Sequence, residues 1–88
     1  MKVIFKERFV KDLKKITDKS LKRSIEDIIK KTKLANNIHD LSNVKKIKGH
    51  EAAYRIRIGD YRIGIFLFED TIIFAAFLHR KDIYKSFP

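Results

Sequence analysis

The stretch Tyr54 to Phe66, reading YRIRIGDYRIGIF, constrains the fold more than any other part of the chain. Side chains alternate on both sides of a Gly59-Asp60 pair, which is the pattern of a β-hairpin with a two-residue turn. Gly59 can take the positive φ required at the first central position of a type II′ turn. Successive strand side chains point to opposite faces, so Ile56 and Ile58 share one face while Arg55 and Arg57 share the other. An antiparallel sheet commonly buries one face and wets the other, so the hairpin is expected to supply both core and a cationic surface.

Either side of the hairpin the hydrophobic period changes. Val3, Ile4 and Phe5 form a short apolar run suited to a first strand. From about Arg8, the spacing of Phe9, Leu13 and Ile16 describes an amphipathic helix, with Lys11, Asp12, Lys14 and Lys15 on the opposite side. Thr17-Asp18-Lys19-Ser20 interrupts it with capping residues, and Leu21, Ile25, Ile28 and Ile29 restart helical spacing to about Leu34. Asn36-Asn37 suits the end of that helix, and no structure is forced on the stretch to Asn43. Val44 to Lys48 fits a strand whose facing the pattern does not fix. After the hairpin, Glu69-Asp70 turns the chain and Thr71 to Leu78 reads as a buried strand. The polar tail from His79 to Pro88 suits one helical turn, with Ile83, Tyr84 and Phe87 free to fold back onto the sheet. The expected class is α+β, a single domain over residues 1–88: two N-terminal antiparallel helices packed on a twisted, mainly antiparallel sheet. Phe9, Leu13, Ile25, Ile28, Ile56, Ile58, Ile63 and Ile65 are the expected core, and the Arg-bearing face is expected to stay open.

Charge narrows the partners. Against 11 Asp and Glu stand 21 Lys and Arg, a formal net charge of +10 on 88 residues. A polyanion is the expected partner, nucleic acid first and an acidic protein second, while Lys chosen only for solubility is the competing reading. No apolar run approaches a membrane span, and the start MKVIFKERF lacks a secretory pattern, so no membrane role is expected. The absence of Cys fits a cytoplasmic location.

Three His far apart and no Cys give no metal spacing, and no cofactor is expected. The glycines of GDYRIG bracket a hairpin instead of leading into a helix, which is not a phosphate loop. The remaining chemistry is cationic and aromatic: Arg55, Arg57, Arg62, Arg80, Lys81, His79, Tyr61 and Tyr84. Arginine grips two phosphate oxygens with a planar fork and can stabilise a phosphorane, but it makes a poor base. Proton transfer falls to His79, Tyr84 or a lysine. Each residue also has a structural reading: Arg55 and Arg57 as a solvated strand face, Arg62 paired with Asp60 or Glu69, Tyr84 as a core anchor, His79 as a strand-end cap.

The order of elements, with YRIR at Tyr54–Arg57, GDYR at Gly59–Arg62 and LHRKDIY at Leu78–Tyr84, resembles the RelE/ParE superfamily of toxin–antitoxin toxins over nearly the whole chain. Keeping Arg62, His79, Arg80 and Tyr84 together favours the RelE branch. That resemblance implies a ribosome-dependent endoribonuclease that cuts mRNA in the decoding site without metal, the ribose 2′-hydroxyl attacking the adjacent phosphate. Carried onto this chain, it implies catalytic roles for Arg62, Arg80 and Tyr84, with His79 as a candidate acid. It also implies RNA binding by Arg55, Arg57, Lys45, Lys46, Lys48 and Lys81. A cognate antitoxin protein in a hetero-oligomer, and the ribosome, are the implied partners. Two departures stand out: Arg occupies paired strand positions that are often Lys in RelE itself, and the segment from Arg80 to Tyr84 is shorter than in some relatives. The ParE branch shares the fold but inhibits DNA gyrase without cutting RNA, and a non-catalytic RNA-binding module is the third reading.

Overall fold

A computed structural model describes all residues, 1–88. In chain order it contains β1 (Lys2–Phe5), α1 (Glu7–Lys14), α2 (Lys19–Leu34), a short 3-10 turn (Ile38–Asp40), β2 (Val44–Lys46), β3 (Ala53–Ile58), β4 (Tyr61–Phe68), β5 (Thr71–His79) and α3 (Ile83–Ser86). The strands form one five-stranded sheet in the order β1-β5-β4-β3-β2. All neighbours are antiparallel except β1 and β5, which run parallel. No helix is long and apolar enough to cross a membrane.

The expected hairpin is present. Ile58 pairs with Tyr61 across the Gly59-Asp60 turn, and Gly59 has φ of +60° while Asp60 is not in the left-handed region, as a type II′ turn requires. The helices separate where Thr17-Asp18 implied: the Asp18 Oδ1 accepts the N–H groups of Ser20 and Leu21 at 2.9 and 3.2 Å, capping α2. The second helix ends at Leu34, before Asn36, and Asn37 and Asp40 then cap the 3-10 turn reciprocally.

Both helices lie on one face of the sheet. Phe9 of α1 and Ile25 of α2 pack with Ile56, Ile63, Ile65, Ile72, Phe74 and Phe77 in one buried cluster. Full burial of side chains of this size is worth about 1.5–3 kcal/mol each. Leu13, Ile28 and Ile58 join from its margin, half-buried. Phe74 and Phe77 both reach this core although strict alternation would separate them. Gly64 pairs with Ala76 and Ile65 with Phe74, so Ala75 is an extra residue, and this bulge reverses the facing of β5 beyond it.

Where β1 ends, the edge of β5 needs another partner. The Phe77 N–H donates to the Asp12 Oδ2 at 3.1 Å, so a carboxylate from α1 takes the place of a strand carbonyl. Asp12→Ala should therefore destabilise the fold by about 1–3 kcal/mol, the cost of orphaning a buried donor. The same change at exposed Lys11, whose ammonium pairs with exposed Glu7, should stay within about 0.5 kcal/mol. Urea denaturation of the two variants measures the difference.

Candidate nucleic-acid interface

The register of β3 and β4 builds the cationic site row by row on the face away from α1 and α2. Arg57 pairs with Arg62 and Arg62 with Leu78, while Lys45 pairs with Arg55, Arg55 with Gly64 and Gly64 with Ala76. Arg80 follows β5, and its N–H donates to the Asp60 carbonyl at 2.8 Å, tying it to the tip of the hairpin. Arg62 sits at the centre. Partial burial first, then the positive charges of Arg55, Arg57 and Arg80, push its guanidinium pKa below the usual arginine value, with the Tyr84 phenol pulling the other way. It remains a cation at any working pH.

Arg62 has no carboxylate partner: the ion pairs of the chain are Arg8–Asp12, Glu7–Lys11 and Asp27–Lys31. Its Nη1 donates instead to the carbonyls of Gly59 and Tyr61, at 2.9 and 2.8 Å. The pairings with Asp60 or Glu69 that the sequence left open are thus absent. Arg57 is steadied by Asn43, whose carbonyl accepts its backbone N–H at 3.0 Å and whose side chain lies 3.5 Å from Nη2.

The tail supplies the aromatic group. Ile83 and Phe87 are buried against Ile47, Ala53, Ala75 and Ala76, and Ser86 accepts a hydrogen bond from Arg8 Nη1 at 3.0 Å. Tyr84 is not the anchor: it is 64% exposed where Ile83 is 0% exposed. The Arg55 guanidinium lies 5.9 Å from its ring centroid, a cation–π distance. The Arg face is therefore free of α1 and α2 as expected, but one end of it is covered by the tail.

Not every candidate joins this cluster. His79 pairs with Tyr61 on the other side of the sheet, its ring edge-on to Tyr61 at 5.6 Å, and its Nδ1 accepts the Lys81 N–H at 3.2 Å. The strand-end cap reading describes its placement, on the face of the sheet away from Arg62. Lys46, opposite Tyr54, belongs to the helix side, whereas Lys45 belongs with Arg55. Lys48 lies in the β2–β3 loop and Lys81 in the exposed turn before α3. No three His, Asp or Glu side chains converge to hold a metal. A half-open pocket of about 360 Å³ between the α1–α2 loop, Tyr61 and Phe77 is on the helix side, and two further open pockets lie between Arg57 and α2. The cationic site lies on an open face of the sheet.

Residues 3–84 match the family model described as the ParE toxin of the type II toxin–antitoxin system parDE. The chain is 52% identical over 89 residues to Toxin RelE3 of Methanocaldococcus jannaschii, with both chains covered in full, and 30% identical over 82 residues to Putative toxin RelE1 of the same organism, covering 91% of this chain and 90% of the relative. It belongs to the RelE/ParE superfamily, on the RelE side. Among solved structures, this RelE-type chain is similar to the RelB–RelE antitoxin–toxin complex from Methanococcus jannaschii, with TM-score 0.80, 46% identity and coverage of 97% of this chain and 99% of that one. The archaeal RelE–RelB complex from Pyrococcus horikoshii shares the fold at TM-score 0.73 and 22% identity, covering 90% of this chain and 93% of that one.

Crowded cations on one face oppose folding at low ionic strength. Melting temperature should rise as salt is added from the millimolar range toward physiological strength, because screening weakens their repulsion. Arg57→Gln should raise the melting temperature at low salt and flatten this dependence. A salt series of thermal melts on both chains tests the electrostatic account.

Proposed function

We propose that this chain is the toxin of a type II toxin–antitoxin pair and acts as a ribosome-dependent endoribonuclease on mRNA. The observation that carries the reading is the gathering of Arg55, Arg57 and Arg80 around Arg62, beside an exposed tyrosine, on the face opposite the helices. In the proposed reaction the ribose 2′-hydroxyl gives up its proton as its oxygen attacks the adjacent phosphorus, the bond to the 5′-oxygen breaks and that oxygen takes up a proton, so that a 2′,3′-cyclic phosphate and a free 5′-hydroxyl result. Arg62 and Arg80 stabilise the charge that builds on the equatorial oxygens of the phosphorane. Arg55, Arg57 and Lys45 hold neighbouring phosphates, and Lys81 extends that track. Tyr84 stacks on a base, a contact worth about 1–3 kcal/mol. With His79 facing away, the transfer of that proton falls to Tyr84 or a lysine of the working face such as Lys45.

The open shape of the site supports dependence on the ribosome, which would hold the message in the geometry that an enclosed pocket would otherwise impose. A chain of this kind works in the cytoplasm. The partner is a cognate antitoxin whose toxin-binding segment is acidic, complementary to the +10 charge, in a hetero-oligomer like the RelB–RelE complexes of the similar structures. Mass action keeps the toxin silent while antitoxin is in excess.

Purified protein added to ribosomes on a message should create new 5′ ends in the decoding site and leave naked RNA largely intact. Arg62→Ala and Arg80→Ala should each lower cleavage by orders of magnitude, since a lost transition-state donor costs about 3–4 kcal/mol. Tyr84→Phe should cost less than Tyr84→Ala. His79→Gln should cleave nearly as the parent chain does, contrary to the acid role that the sequence resemblance suggests. Intact messages together with gyrase stalled on DNA would replace this reading with a ParE-like one, and salt-sensitive RNA binding with neither product would leave a passive module.

A further inference from the structure

Gly64 stands in the middle of β4, where a strand loses side-chain packing for nothing unless something must come close. Its backbone is not in the left-handed region, so no turn geometry calls for glycine. A Cβ added there would meet the Phe87 ring, with Cγ at 2.7 Å and Cδ1 and Cδ2 at 2.8 Å. Around Gly64 the same face carries Ala76 of β5 and Ala53 of β3, both buried and both small. These residues make a shallow trough, and Ile83 and Phe87 fill it. The Phe66 ring closes one end, 5.0 Å from that of Phe87. The row of β4 that holds Gly64 is also the row of Arg55, so seating Phe87 on Gly64 fixes where the turn of helix before it lies along that row. Tyr84 is thereby carried to Arg55.

We infer that Gly64 and Phe87 are positioning residues: their ring-on-glycine contact sets the register of the tail and so holds Tyr84 over the Arg55–Arg62 cluster. Gly64 offers no side chain and Phe87 is buried. Their effect passes through Tyr84, and its catalytic consequence rests on the ribonuclease reading given above.

Two measurements separate this inference from that reading. In NMR spectra of the free chain, ring-current shifts of the Arg55 side chain report Tyr84 without any ribosome. Gly64→Ala should abolish them while the core resonances of Ile63 and Phe74 keep their native dispersion. Phe87→Ala, which leaves the strand untouched, should do the same. In decoding-site cleavage at saturating ribosomes, Gly64→Ala should lower kcat by on the order of 100-fold, the effect of a misplaced group near the reacting atoms, with little change in KM. In a Tyr84→Ala background the same substitution should change kcat by about twofold or less, because the two act through one contact. Unaltered Arg55 shifts in Gly64→Ala would overturn the inference, whatever the wild-type chain does to RNA. So would a full loss of kcat from Gly64→Ala on top of Tyr84→Ala. Failure of the wild-type chain to cleave would refute the ribonuclease reading, and the NMR arm alone would then decide the register.

Discussion

A slip of one residue between β3 and β4 would turn one strand over relative to the other: with β3 displaced, Arg55 and Arg57 would lie under the helices and Ile56 and Ile58 in water. The Gly59-Asp60 turn and the burial of Ile56, Ile63 and Ile65 hold the register against that slip. Everything else on the working face is placed relative to this register: Lys45 through its pairing with Arg55, Arg80 through the Asp60 carbonyl, Tyr84 through a tail seated on β3, β4 and β5.

The cost of gathering four arginines is met from the opposite side. Repulsion among them is long-ranged but screened by salt, whereas the packing of Phe9, Ile25, Phe74 and Phe77 is local and involves no charge to screen. The two faces are nevertheless linked. Asp12 reaches from α1 to the Phe77 N–H and Arg8, one turn earlier, reaches the tail at Ser86. The helix that anchors the core thus also steadies the tail that carries Tyr84.

Much of this was legible in the sequence, and for definite reasons. Alternation in Tyr54–Phe66 has period two and one interpretation, so the hairpin, its turn and its cationic face follow from it. The helices follow as directly from Phe9, Leu13, Ile25 and Ile28. By contrast, Thr71–Leu78 is apolar on both faces and carries no alternation, so the bulge at Ala75 and the reversed facing of His79 are invisible there. That is why His79 reads as a neighbour of Arg62 in sequence and stands on the other side of the sheet. Lys45 and Lys46 are split by the same parity, in a strand too short for its pattern to fix a face. The seat of the tail has only a faint sequence signature: Gly64 with Ala53 and Ala76, small residues on strands that otherwise carry large ones.

The central claim is that the Arg62 face, completed by Tyr84, grips the message. Cryo-electron microscopy of Arg62→Ala bound to a ribosome carrying an uncut message tests it most directly. The account predicts message phosphates against Arg55, Arg57 and Arg80, the Tyr84 ring stacked on a base, and α1 and α2 turned away from the message. A complex in which the helices face the message and the arginine face meets only solvent would contradict it.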